Sequence, residues 1–97
     1  MNLFLHPRVR SDIREALEYY DTRSDSAGDR LFAEVEKALD SIELNPDRYH
    51  FSTEYYRRCN LIKFPYHFLF EIWGSQIRVL VFRHHKRHPD YGLQRRW

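Results

Sequence analysis

The second half of the chain carries eight side chains able to bind or move charge on a polyanion: Arg58, Lys63, Arg83, His84, His85, Arg87, Tyr91 and Arg95. A guanidinium stays charged at cellular pH and cannot serve as a base, but its fork matches phosphate or carboxylate. Arg58, Lys63, Arg83 and Arg87 are therefore candidate phosphate clamps, with Arg95 a further contact. Histidine titrates near neutrality, so His84 or His85 can exchange protons. Adjacent residues on a strand point to opposite faces, so the two histidines share a site only if the strand has ended. Tyr91 can stack on a base or donate a proton, although it and Tyr66 also fit the role of half-buried aromatics.

Other chemistries find less support. His84 and His88 stand at i and i+4, a spacing that shares one metal on a helix, but Pro89 and the strand-like run before them argue against a helix. No metal or cofactor is expected. Cys59 is the single cysteine, which cannot form an intrachain disulfide and reads as a small buried hydrophobe. Glu34, Glu36 and Asp40 fit a solvated helix face. There is no glycine-rich phosphate loop and no paired-cysteine motif.

The 97 residues suit one domain spanning residues 1–97, and 42% hydrophobic with 16% aromatic content can build a single core. No apolar run approaches the roughly 20 residues needed to cross a bilayer. The N-terminus, Met1 to Pro7, lacks the basic-then-apolar pattern of a secretory signal, so a cytoplasmic protein is expected. The formal net charge of +2 hides an asymmetry: residues 1–54 carry seven Lys/Arg against twelve Asp/Glu, and residues 55–97 carry nine against two. A basic half favours a polyanionic or acidic partner, unless the two halves merely attract each other within the fold.

The elements that must position these groups follow from periodicity. Residues 2–6 form a short apolar run closed by Pro7, read as a strand followed by a helix start. Val9, Ile13, Ala16, Leu17 and Tyr20 recur at helical spacing, while Arg10, Asp12, Arg14, Glu15 and Glu18 take the other faces. Ser26 with Asp29 resembles a capping signal for a second helix, whose stripe is Ala27, Leu31, Val35, Ala38 and Ile42. Asn45-Pro46 ends it. Residues 57–64 alternate imperfectly up to Pro65, Tyr66 to Trp73 is aromatic-rich, and Gly74-Ser75 suits a hairpin with glycine at its first central position. In the last strand Ile77, Val79 and Val81 share one face and Leu80 and Phe82 the other, predicting a strand covered on both sides. The expected fold is α+β, in the order β-α-α-β-β-β, with a helix hairpin packed on a small, mainly antiparallel sheet.

The stretch from Arg58 through Phe64-Pro65-Tyr66 to Glu71, a hairpin, and then His84, Arg87, Pro89, Tyr91 and Arg95 in order resemble the RelE/ParE superfamily of toxins. Gly92 stands where many members have tryptophan. The helical segments around Ala16–Tyr20, Ala27–Phe32 and Ala38–Pro46 are similar too, so the likeness covers nearly the whole chain. The resemblance implies a toxin neutralised by a cognate antitoxin in a hetero-oligomer, and it implies one of two targets. ParE-like members inhibit DNA gyrase, the reading slightly favoured, and have no reaction of their own. RelE-like members cleave mRNA on the ribosome, where a 2′-hydroxyl attacks the adjacent phosphate with a base, a proton donor and cations in attendance. In that case His84, Arg87 and Tyr91 are the catalytic set. In either case Arg58, Lys63, Arg83, Arg87 and Arg95 are the residues for target or antitoxin. A protein- or nucleic-acid-binding module without toxicity is the third reading.

Overall fold

Residues 1–97 are described by a computed structural model with strand β1 (Asn2–Leu5), helices α1 (Val9–Asp21) and α2 (Ala27–Leu44), a short 3-10 turn at Pro46–Arg48, and strands β2 (Arg57–Asn60), β3 (Tyr66–Trp73) and β4 (Gln76–His84). The sheet order is β1-β4-β3-β2, with β1 parallel to β4 and the other pairs antiparallel. This is the α+β order expected. The helix hairpin covers one face, where Val9, Ile13, Leu31, Val35 and Ile42 pack on Phe68, Phe70, Ile77, Val79 and Phe82. Apolar burial of this kind supplies the main stabilisation, each large side chain contributing about 1.5–3 kcal/mol.

The far face has its own cover. Leu69, Leu80 and Val81 are fully buried beneath Tyr56, Tyr91 and Leu93. The alternation read from sequence fails here for one reason, a bulge. Leu69 pairs with Val81 and Phe70 with Val79, leaving Leu80 as the extra residue. Val81 thereby turns away from Ile77 and Val79 to join Leu80, and Phe82 turns in toward the helices.

Gly92 lets the C-terminal segment lie this close. Its φ is +83°, and a Cβ there would stand 2.6 Å from Val81 Cγ2. The backbone at this position therefore has no room for a Cβ unless Val81 shifts. Gly74, at φ +62°, makes the β3–β4 hairpin as expected.

Three local expectations change. Ser26 sits at the start of α2 but caps nothing; its hydroxyl instead accepts from Arg30 Nη1 at 2.6 Å. The run from 57 stops being a strand at Asn60, because Leu61 N–H turns to Tyr66 C=O (2.9 Å). The loop that follows is pinned to α2, where Glu34 accepts the N–H groups of Ile62 and Lys63 at 2.8 and 3.2 Å. Glu34 is therefore a fastening for this loop rather than a free solvated carboxylate.

Candidate functional site

Strand β1 is shorter than its neighbour β4, and this determines the first half of the site. The ladder ends where His6 N–H donates to Val79 C=O at 2.8 Å, leaving the next residues of β4 with an open edge. A side-chain pair continues it. Asp12 Oδ2 accepts Phe82 N–H at 3.1 Å, and Arg95 Nη1 donates to Leu80 C=O at 3.0 Å. Asp12 and Arg95 also clasp each other through two bonds of 2.6 and 2.8 Å, with side chains 3% and 9% exposed. Asp12, which helical periodicity puts on a polar face, is in fact a buried hub. It further accepts the Tyr91 hydroxyl at 3.1 Å. Hydrogen bonding to Asp12 pushes the Arg95 pKa up, and burial followed by the Asp12 charge does the same to the Tyr91 phenol.

The second half lies on the far face, around a histidine that sequence reading missed. His67 is buried at 1% exposure and accepts from Arg83 Nε at 3.0 Å through its Nε2. Its Nδ1 lies 3.0 Å from Nδ1 of His85, and the two ring planes are within 16° of parallel with centroids 5.2 Å apart. Burial, then the charges of Arg58 and Arg83, lower the His67 pKa to about 3, so the ring is neutral at cellular pH. Burial and Arg58 push the His85 pKa down as well. Arg58 completes the chain, donating from Nε to Asn60 Oδ1 at 2.7 Å and from Nη2 toward His85 Nδ1 at 3.2 Å.

These contacts sort the predicted residues. Arg83 is buried, its Nη1 donating to the carbonyls of Pro89 and Tyr91 at 2.7 and 2.9 Å, so it holds the C-terminal segment rather than facing a partner. Arg95 is likewise internal. The expectation that both belong to a binding surface is corrected accordingly: the unpaired edge and far face of β4 need their donors. Lys63 and Arg87 are exposed, and Arg58 is partly so.

His84, Arg87 and Tyr91 do meet, lining a cleft of about 190 Å³ between α1 and the end of β4 together with Asp12, Glu15 and Tyr66. Arg87 lies over the Tyr91 ring at 3.9 Å. His84 accepts Lys86 N–H on Nδ1 at 3.0 Å and stands edge-on to Tyr66. Strand β4 ends at His84, so His84 and His85 diverge: the first joins this cleft, the second the His67 network.

Two ion pairs join the acidic and basic halves, the buried Asp12–Arg95 and, at 3.8 Å, Asp47–Arg57, of which only Asp47 is well exposed. Attraction within the fold thus leaves Arg58, Lys63, Arg83, Lys86, Arg87 and Arg96 without a carboxylate. No three His, Cys, Asp or Glu side chains gather as a metal site, and no helix is long and apolar enough to cross a membrane. Cys59 is buried, and burial pushes its thiol pKa up.

No curated protein sequence matches the chain. Among solved structures, a chain described as "Chromosomal ParDE TA system from P. aeruginosa" is similar with a TM-score of 0.76 at 13% identity, over 87% of this chain and 95% of that one. That likeness concerns the fold. The sequence itself matches, over residues 3–89, the family described as "ParE toxin of type II toxin-antitoxin system, parDE". The chain belongs to the ParE toxin family.

Proposed function

We propose that this toxin acts by binding, with DNA gyrase as its target, and that it is held inactive by a cognate antitoxin. The observation carrying this reading is the state of the groups that a nuclease would need. The Tyr91 hydroxyl is committed to the buried Asp12 carboxylate, and its pKa is raised. His67 is neutral and shut away, and Arg83 and Arg95 serve the fold. What faces outward is a set of fixed cations, Arg58, Lys63, Lys86 and Arg87, which bind anionic or polar surfaces without moving protons. The family description supports the same direction. The antitoxin would form a hetero-oligomer with the toxin, and its acidic residues would suit the uncompensated basic half.

Purified protein should inhibit gyrase supercoiling and leave ribosome-bound mRNA uncut. Cleavage at ribosomal A-site codons would overturn the reading. The RelE-like alternative draws on one observation, the convergence of His84, Arg87 and Tyr91 on a single cleft. It requires that Arg87→Ala with Tyr91→Phe abolish cleavage while the protein stays folded.

A further inference from the structure

The hydrogen-bond chain on the far face has a direction that can be worked out donor by donor. Arginine only donates, so His67 Nε2, 3.0 Å from Arg83 Nε, must be a bare acceptor. Neutral His67 therefore carries its proton on Nδ1 and donates it to His85 Nδ1 at 3.0 Å. His85 Nδ1 also receives Arg58 Nη2 at 3.2 Å, so the His85 proton must sit on Nε2. Buried Arg83, through His67, thus joins Arg58 in fixing which nitrogen an exposed imidazole turns outward. Nη1 of Arg58 makes no hydrogen bond in the fold, and neither does His85 Nε2. Asn60 Oδ1 restrains the guanidinium by accepting from Arg58 Nε at 2.7 Å.

The charge balance around this chain is unfinished. Arg58 and Arg83 both lack a carboxylate within salt-bridge distance, and every ligand of Arg83 is neutral. The charge of Asp90 reaches Arg83 only from beyond salt-bridge distance, so the two guanidinium groups still favour an anion nearby. Arg58 and Asn60 also border an open pocket of about 410 Å³ whose wall includes Arg48, His50 and Ser52 and contains no acidic side chain.

We infer that Arg58 and His85 form a receptor for a single oxyanion, phosphate or carboxylate, at the β2 side of the sheet, with His67 as the positioning residue that aims His85. The two free donors, a guanidinium Nη1 and an imidazole Nε2–H, would each take an oxygen, and the bound charge would offset the Arg58–Arg83 pair. The site stands on its own geometry and does not depend on whether gyrase is the target.

The test uses isotope-labelled full chain at neutral pH. Long-range imidazole correlation spectra should show His67 as the Nδ1–H tautomer and His85 as the Nε2–H tautomer. Inorganic phosphate and acetate, titrated separately, should reveal the preferred class by the tighter saturable shift of the His85 ring and Arg58 guanidinium signals. Arg58→Gln or His85→Ala should weaken that binding by about tenfold or more, the loss of one charge-assisted bond. Arg14→Gln, the same charge change on the exposed face of α1, should leave it unaltered. His67→Gln removes one of the two donors to His85 Nδ1 and leaves Arg58, so the minor Nδ1–H form of His85 should become more populated than in the parent chain, a change that loss of packing alone would not produce. If that variant fails to fold, the Arg58 and His85 variants decide. Finding His67 as the Nε2–H tautomer overturns the proposal. So do shifts that fail to saturate, or that are equal in Arg58→Gln and Arg14→Gln.

Discussion

Replacing Asp12 by alanine removes one carboxylate and strands three partners at once. Phe82 N–H loses its acceptor on the open edge of β4, the Tyr91 hydroxyl loses its own, and Arg95 is left as a buried cation with side-chain exposure of 9%. Breaking a buried ion pair from one side costs about 3–5 kcal/mol, most of it the penalty of the charge left behind. The orphaned N–H adds about 1–3 kcal/mol, though the contributions overlap. Against a total of about 5–15 kcal/mol for a domain this size, Asp12→Ala should consume a large part of the stability. Urea denaturation followed by circular dichroism should show a loss of at least about 3 kcal/mol, with a Tm lowered by at least about 12 °C. The double variant Asp12→Ala/Arg95→Met removes the stranded cation and should be less destabilised than the two single losses summed, by about 1–3 kcal/mol. A single-variant loss below about 1 kcal/mol, or strict additivity in the cycle, would show that the clasp is not what closes the β4 edge.

Further outcomes follow from the same geometry. Gly92→Ala forces an L-residue to positive φ against Val81 and should cost about 1–3 kcal/mol by denaturation; in a Val81→Ala background the steric part should shrink. His67 has a folded pKa of about 3 against 6.5 when free, so the unfolded chain binds the extra proton between those values. Stability should therefore fall as pH drops through that window, by up to about 1.4 kcal/mol per pH unit. His67→Gln should flatten the slope of a pH series. Tyr91→Phe deletes the hydroxyl's bond to Asp12 and the longer one it accepts from Arg95, and should lower stability by roughly 1–2 kcal/mol while gyrase inhibition persists. An intact denaturation midpoint with lost inhibition would assign Tyr91 to the target instead.

The helices and strands were legible because their apolar residues recur at the periods of the elements they build, and Gly74 marked its hairpin without help. The bulge at Leu80 was not, since Ile77 to Phe82 is apolar at nearly every position and either alternation fits such a run. The site was legible by residue type and illegible by role. Arg58, Arg83, Arg87 and Arg95 look alike in sequence, and only the short β1 decides that Arg95 must finish an edge. Asp12 offered no signal, being one acidic residue among several on an amphipathic helix. His67 sits in an aromatic-rich strand where a buried imidazole resembles another ring. A signal for it did exist: Tyr66 to Phe70 is apolar except for His67, and an isolated polar residue in such a run needs an internal partner.

The clasp at the β4 edge joins residues 83 positions apart, and His6 meets the Arg96 carbonyl across 90. Such contacts return free energy only after nearly the whole chain has been closed into a loop, so they belong late in folding. The helix hairpin and the β2-β3-β4 meander can assemble through nearer contacts, with β1, which pairs with β4 across 74 positions, and the C-terminal segment fastening afterwards. Its release is then the natural first step of unfolding, and Asp12→Ala should hasten unfolding far more than it slows folding. For a toxin, this makes the lifetime of the folded state depend on a latch whose Tyr91 ring lies directly against the exposed Arg87.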